Sequence, residues 1–222
     1  MKNFNLQRLK NYLDTFLRPY CKKAFIKKIK SGAFVLDVGC GNESDKIFRQ
    51  LSPESYYIGI DIQSPPRNYL GNEYFLSTPE NFNESVLKAL TKVDVIISSH
   101  NLEHCDNYKE LVSIFTASTK AEKLFLSFPS SASLTLPKSK YGTLNFYQDS
   151  THNELPDVVF ILNALEKNGW KVDFCGNPYR PVLPSLIGIL WMPIFKLTGI
   201  ESPLYGTYSF FGFETIIWAS KC

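Results

Sequence analysis

The sequence predicts an α/β fold built on a mostly parallel sheet, and three observations predict it. Short apolar runs alternate with stretches of helical character between residues 33 and 129, the pattern of βαβ units joined by right-handed crossovers. The first of those runs, VLDVG at 35–39, passes from an acid directly into a glycine turn, as strands do where a ligand sits against the next helix N-terminus. The chain then closes with a helix, a strand, a long excursion and a further strand. That order permits an antiparallel hairpin at one sheet edge.

Residues 1–30 carry nine Lys/Arg against the single acid Asp14, so this segment is +8 while the remaining 192 residues come to −5. Within it Leu6, Leu9, Leu13, Phe16, Leu17 and Tyr20 recur at spacings of three and four. This predicts a basic amphipathic helix, acting as a lid or a membrane arm, ahead of a domain spanning 31–222. Buried strands are expected at AFVLDV (33–38), YYIGID (56–61), EYFL (73–76), VDVIIS (93–98) and KLFLSFP (123–129), where apolar residues run continuously. Helices are expected near 44–51, 83–91 and 107–118. Residues 130–152, rich in Ser, Tyr and Asn, read as a long loop, which in a compact domain is functional or disordered. Leu155 to Asn168 comes next as a helix stopped by Gly169. A strand at WKVDFC (170–175), an apolar, Pro-punctuated insertion at 177–206 and a final strand at FETIIWAS (213–220) complete the chain.

At 222 residues, 44% hydrophobic and 20% charged, the chain is one ordinary domain with an appendage, and intrinsic disorder is excluded. Its five cysteines are odd in number and far apart, with no C-x-x-C, so neither a zinc ribbon nor a disulfide framework is expected. Basic residues interrupt any N-terminal apolar run, and Val182 to Gly199 is broken by Pro184, Pro193 and Lys196. A reduced, cytoplasmic, non-spanning protein is expected. Nucleic acid is not expected as a partner, because the basic residues form one arm with no recognition module elsewhere.

The most informative segment is VLDVGCGNES, residues 35–44. A strand ends in Asp37, Gly39 and Gly41 line the turn, and a helix opens near Ser44. Glycines there let backbone approach a ligand closely, and the nascent helix end offers free N–H groups. Asp61 closes the next strand 22 positions past Gly39, near the ~20 expected for a ribose-binding carboxylate. A nicotinamide-binding turn wants a third glycine where Ser44 stands.

VLDVGCG resembles the first motif of class I S-adenosylmethionine-dependent methyltransferases, and YIGIDIQ resembles their second. SSHNLEHCDN, after the fourth strand, resembles the LEH signature of the type 11 methyltransferase group, and LFLSFP matches the fifth strand of the same fold. The resemblance implies a Rossmann-like, doubly wound, seven-stranded sheet with an antiparallel last strand, and S-adenosylmethionine as cofactor. It further implies that Asp37 anchors the cofactor's amino-acid end, indirectly or directly, while Gly39, Cys40 and Gly41 make the turn that admits it. Asp61 would accept both ribose hydroxyls and Ile62 would pack beside the adenine. Ser99, His100 and Asn101 would line the methionine side. Ser77, Thr78 and Glu80 stand where the family touches the adenine edge.

His100-x-x-Glu103-His104 also matches an H-x-x-E-H pattern. Its two histidines could face one metal only from a common helix, and His100 follows directly on a strand, so no metal is expected. His104 and His152 are the candidate catalytic bases. For His104 the alternative is a residue that orients the loop after the fourth strand. His152 lies in YQDSTHNEL, similar to an acid-x-T-H segment that opens toward the acceptor in several sugar and small-molecule methyltransferases. Its alternative is a solvated ring beside a helix cap formed by Thr151 or Asn153. SHNL in place of an N-P-P-Y motif speaks against nitrogen methylation, and the D-x-T-H segment with the apolar insertion resembles methyltransferases of bacterial surface-sugar and lipid pathways. That resemblance implies O-methylation of a saccharide or lipid-linked small molecule, with the basic arm and the insertion either touching the inner face of a membrane or packing on the domain. The rivals are a quinone- or polyketide-type acceptor, and a non-catalytic protein of the same fold. The oligomeric state is left open.

Overall fold

The computed structural model describes residues 15–16, 18–136, 145–177, 182–198 and 212–221. Seven strands form one sheet: β1 (Phe34–Val38), β2 (Tyr56–Asp61), β3 (Glu73–Leu76), β4 (Val95–Ser99), β5 (Lys123–Pro129), β6 (Trp170–Gly176) and β7 (Glu214–Lys221). Their order is β3-β2-β1-β4-β5-β7-β6. The pairings among β1 to β5 are parallel, and β7 runs antiparallel to both β5 and β6. The doubly wound sheet with an antiparallel last strand is therefore as expected.

Helices α1 (Lys22–Ile26), α2 (Ser44–Leu51), α3 (Phe82–Ala89), α4 (Tyr108–Ala117), α5 (Val158–Lys167) and α6 (Val182–Thr198) complete the described elements. Each central strand is buried on both faces, so its side chains feed two cores. On one face Leu36, Ile58, Ile96 and Leu124 pack with Val86, Leu111, Phe115 and Ile161 of α3, α4 and α5. On the other, Val35, Tyr57, Ile97 and Phe125 pack with Phe25 and Ile26 of α1 and Phe48 of α2. Burying a side chain of this size contributes about 1.5–3 kcal/mol, which explains why continuous apolar runs rather than alternating ones mark β1, β2, β4 and β5.

Of the basic segment, residues 1–14 and 17 lie outside the described residues, so most of the predicted amphipathic helix does too. Residues 18–30 pack on the domain. Tyr20 stacks on Phe174 with ring centroids 3.7 Å apart, and Phe25 meets Trp218 edge-on. Two local differences from expectation have simple causes. Helix α5 begins at Val158 rather than Leu155, because Pro156 holds Leu155 extended and Asp157 caps the helix by accepting from the N–H groups of Val159 and Phe160 at 2.8 and 3.3 Å. The cap is thus neither Thr151 nor Asn153. The 130–152 loop contains 3₁₀ turns at Ser131–Leu134 and Phe146–Gln148, with 137–144 outside the described residues. Within the 177–206 insertion the described part is the 17-residue helix α6, with Pro193 inside it. No helix among the described residues is long and apolar enough to cross a membrane.

Candidate active site

Strand order reverses at β1, which has β2 on one side and β4 on the other. The loops leaving these three strands, with those after β3, open a cavity of about 380 Å³ at the carboxyl edge of the sheet. This is the crevice in which open α/β sheets bind ligands, and its size lies within the ~300–1,000 Å³ of small-molecule sites.

Gly39 and Gly41 both sit in the left-handed region, at φ +70° and +59°. Gly39 is doubly constrained, because a Cβ there would overlap the Asn101 side chain. Its N–H donates to Ile60 O at 2.9 Å, which stitches the turn to β2. Asp61, buried at the end of β2, is oriented by two backbone donors. Gly41 N–H reaches Oδ2 at 2.8 Å and Gln63 N–H reaches Oδ1 at 3.0 Å. Each carboxylate oxygen keeps a lone pair for the cavity, which Asp61 lines together with Ile62, Pro79 and Phe82. A carboxylate held this way suits a vicinal diol, and the apolar neighbours suit a flat base.

Asp37 takes no place on the cavity wall. It is fully buried, and its carboxylate accepts from Lys22 Nζ at 2.9 and 3.1 Å, from Tyr57 Oη at 2.9 Å and from Ser44 Oγ. Burial, then the Asp37 charge, keeps the Tyr57 phenol protonated far above its ordinary range, so it donates to Asp37. Asp37 therefore acts on the glycine turn by tying β1 to α1 and α2. Cys40 is buried beneath the turn, where burial and the charges of Asp37 and Asp61 push its thiol well up. The thiol is inert at neutral pH.

After β4, the SHNLEH segment splits. Asn101 and His104 line the cavity, whereas Ser99 shares a 2.9 Å hydrogen bond with Ser127 on β5. His100 turns away as well, with φ +51°. Its Nδ1 meets Glu103 Oε1 at 3.1 Å and its Nε2 meets Glu214 Oε1 at 3.3 Å. Burial pushes the His100 pKa down, but hydrogen bonds and charge from Glu103 and Glu214 outweigh it and raise the pKa to about 10. Both ring nitrogens face carboxylates, so His100 stands as an imidazolium. Glu214 also meets Arg18 at 3.5 Å. Among the residues expected to line the cofactor site, Gly39, Asp61, Ile62, Glu80 and Asn101 line the cavity wall, whereas Ser77 and Thr78 do not. Asp37, Cys40, Gly41, Ser99 and His100 stand behind it.

His104 and His152, 48 positions apart in sequence, come together with ring centroids 4.8 Å apart. His152 is not solvated; its side chain is only 6% exposed. Its Nδ1 lies 2.7 Å from Phe146 O, a carbonyl that only accepts. The Nδ1 of His104 lies 3.1 Å from Thr151 O and 2.9 Å from Thr151 Oγ1. That hydroxyl spends its proton on Asp149 Oδ1 at 2.6 Å. Both imidazoles therefore carry hydrogen on Nδ1, and the His152 Nε2 faces Asp149 Oδ2 at 3.9 Å. Elsewhere in this loop, Tyr147 is largely exposed and Asp149 supports the pair. Sequence reasoning passed over Phe82, Asn83, Asp106 and Asn107 on the cavity wall, and met Glu103 only as part of the H-x-x-E-H pattern, with no sign that it is fully buried. Their helix-start and turn positions carry no periodic signal of their own.

Residues 9–173 match the family described as a methyltransferase domain. An uncharacterized protein of Methanocaldococcus jannaschii is 29% identical over 169 residues, 68% of this chain and 44% of its own length. The chain thus spans less than half of that curated relative. Among solved structures, a SAM dependent methyltransferase from Archaeoglobus fulgidus is similar with TM-score 0.54 and 23% identity, covering 97% of this chain and 94% of that one. The Haloferax volcanii protein solved in complex with the Trm112 methyltransferase activator has TM-score 0.58 and 9% identity, covering 98% and 95%. At these identities the structural likeness speaks to the fold.

Proposed function

The chain belongs to the methyltransferase domain family, and from that premise we propose that it moves a methyl group from S-adenosylmethionine to a hydroxyl oxygen of a saccharide or lipid-linked small molecule. When bound, S-adenosylmethionine supplies a sulfonium-activated methyl group. What the chain must add is a fixed orientation, a dry site and a destination for the acceptor's proton. Asp61 holds the ribose hydroxyls, Ile62 and Phe82 flank the adenine, and Gly39 with Asn101 admits the amino-acid end.

The observation that carries the hydroxyl reading is the pairing of His104, on the cavity wall, with His152 behind it, each imidazole fixed through Nδ1 by a backbone oxygen. A hydroxyl is a weak nucleophile until its proton leaves, and a neutral imidazole is the ordinary side chain for that task. The lipid-linked reading is supported by α6. Its connection leaves at the carboxyl end of β6 and returns at the start of β7, which pairs with Pro129 at the end of β5. It therefore emerges at the same sheet edge as the cavity. Leu183, Leu186, Ile187, Leu190, Ile194 and Leu197 along α6 are exposed, a greasy surface suited to an acyl chain or the inner face of a membrane.

The test is transfer of label from methyl-labelled S-adenosylmethionine into lipid and sugar extracts, run with the parent and with His152→Ala, His104→Ala and the double variant. The expected product is a lipid-linked or saccharide methyl ether. Loss of the base should lower turnover by about 10²–10⁴ while cofactor affinity holds. Full turnover by all three variants overturns the base assignment, and label found only on quinone- or polyketide-type products overturns the acceptor class.

A further inference from the structure

We propose that Glu103, His104 and His152 hold one first-row divalent cation at the wall of the cavity. One ligand atom from each of the three lies within 4.8 Å of the other two. This is not the trio that the H-x-x-E-H spacing suggested, since His100 is drawn off toward Glu214 and a residue from the 130–152 loop takes its place. Two independent features point to a ligand. The first is the state of the imidazoles. Each spends Nδ1 on a backbone oxygen, His152 on Phe146 O at 2.7 Å and His104 on Thr151 O at 3.1 Å. Metal-binding histidines are fixed in this way, with the second nitrogen left to coordinate.

The second feature is Glu103. The residue is fully buried; Oε1 is engaged by His100 at 3.1 Å, and Oε2 has no hydrogen-bond partner among the described residues. Buried carboxylate oxygens are normally matched, and one left over beside two imidazoles calls for a positive centre. His100 grips the carboxylate from its far side and so fixes its direction. Two nitrogens and one carboxylate select an ion of the Mn²⁺-to-Zn²⁺ series over Mg²⁺ or Ca²⁺, which prefer oxygen alone. Ligands about 2.1 Å from such an ion stand roughly 3.4 Å apart in tetrahedral geometry. From the 4.8 Å limit of the cluster the ligand atoms close by at most about 1.4 Å, within the reach of a side-chain rotation.

Three protein ligands leave coordination positions open, and His104 turns them toward the cavity. A hydroxyl bound there through oxygen loses its proton to solvent; the O–H electron pair stays on oxygen, and the cation neutralises the charge. With the cation bound the imidazoles are its ligands; without it they remain the proton acceptors proposed above. This chemistry rests on the hydroxyl-acceptor reading; cation binding does not.

The test uses the full, untagged chain, stripped with chelator and titrated with Co²⁺ by visible absorption and with Zn²⁺ by calorimetry. The expected result is one ion per chain, visible bands of protein-bound Co²⁺, and at least tenfold weaker binding in Glu103→Gln and His152→Gln with circular dichroism unchanged. No bound ion, or equal affinity in both variants, overturns the site. Should either variant misfold, imidazole nitrogen resonances in the parent decide. Those of His104 and His152 must move on Zn²⁺ saturation, and signals that stay in place overturn it. Cation bound without methyl transfer to any hydroxyl removes the acceptor reading alone; methyl transfer without a bound cation removes this site alone.

Discussion

Replacing Asp61 with Ala has two separable consequences, each readable from the hydrogen bonds at that carboxylate. The folded protein loses acceptors for two backbone donors, Gly41 N–H at 2.8 Å and Gln63 N–H at 3.0 Å. At about 1 kcal/mol for each such bond, stability falls by about 2 kcal/mol. The cofactor loses a charged, pre-oriented acceptor for its ribose, at about 1.5–3 kcal/mol, or roughly 10- to 150-fold in Kd. Asp61→Asn retains one carbonyl oxygen and the side-chain shape, so it should fall between parent and Ala. The assay is calorimetric titration with S-adenosylhomocysteine at a temperature where circular dichroism shows every variant folded. A folded Asp61→Ala protein that binds within threefold of the parent, or a parent that prefers NAD, would refute the assignment.

Gly39→Ala sets a Cβ into the Asn101 side chain at a φ of +70°, which costs about 1–2 kcal/mol before any collision; thermal denaturation and the same titration should show lower stability and at least tenfold weaker binding. Lys22→Ala leaves fully buried Asp37 without its cation, and a loss of about 3 kcal/mol is expected in urea denaturation; a loss under 0.5 kcal/mol would mean Ser44 and Tyr57 suffice. Burial opposes ionisation of Glu214, but His100 and Arg18 prevail and hold its pKa below the ordinary 4.5. Its contribution is therefore present above that pH and is lost as pH falls through the folded value. Stability of the parent should drop more steeply than that of Glu214→Gln below about pH 4.5, and parallel curves would show that this ion cluster does not stabilise the fold.

Most of the fold was legible because its signals are local. The runs at β1, β2 and β5 lie within one residue of the predicted ones, since a parallel strand buried on both faces must be continuously apolar; β3 also lies where expected, but as an edge strand it is largely exposed rather than buried. The start of α5 was less legible, as a helical pattern continues back to Leu155 and only Pro156 and the Asp157 cap reveal the true boundary. The packing of residues 18–30 was misleading at the level of composition. Lys22 looks like one of nine surface charges, yet its ammonium reaches a fully buried carboxylate.

The site was legible where chemistry follows the chain and obscure where it crosses it. Gly39, Gly41 and Asp61 are tied to strand ends, so spacing placed them at the turns that leave β1 and β2. His100 and His104 belong to one hexapeptide, but a single positive φ at His100 sends them to different places. The meeting of His104 with His152 depends on how the 130–152 loop folds back over β4, and Asn153 N–H donating to Glu103 O at 2.8 Å is part of that return. No periodicity encodes such a contact. Glu103 was hidden for the same reason: an acid beside Leu102 and His104 gives no hint that it is fully buried.

The most direct test of the central claim is a crystal structure with S-adenosylhomocysteine bound. The ribose hydroxyls are expected on the Asp61 carboxylate, the base between Ile62 and Phe82, and the amino-acid end beside Gly39 and Asn101. The sulfur is expected to face the side of the cavity that holds His104 and His152. A ligand bound elsewhere, or one whose sulfur points away from those two histidines, would contradict the claim.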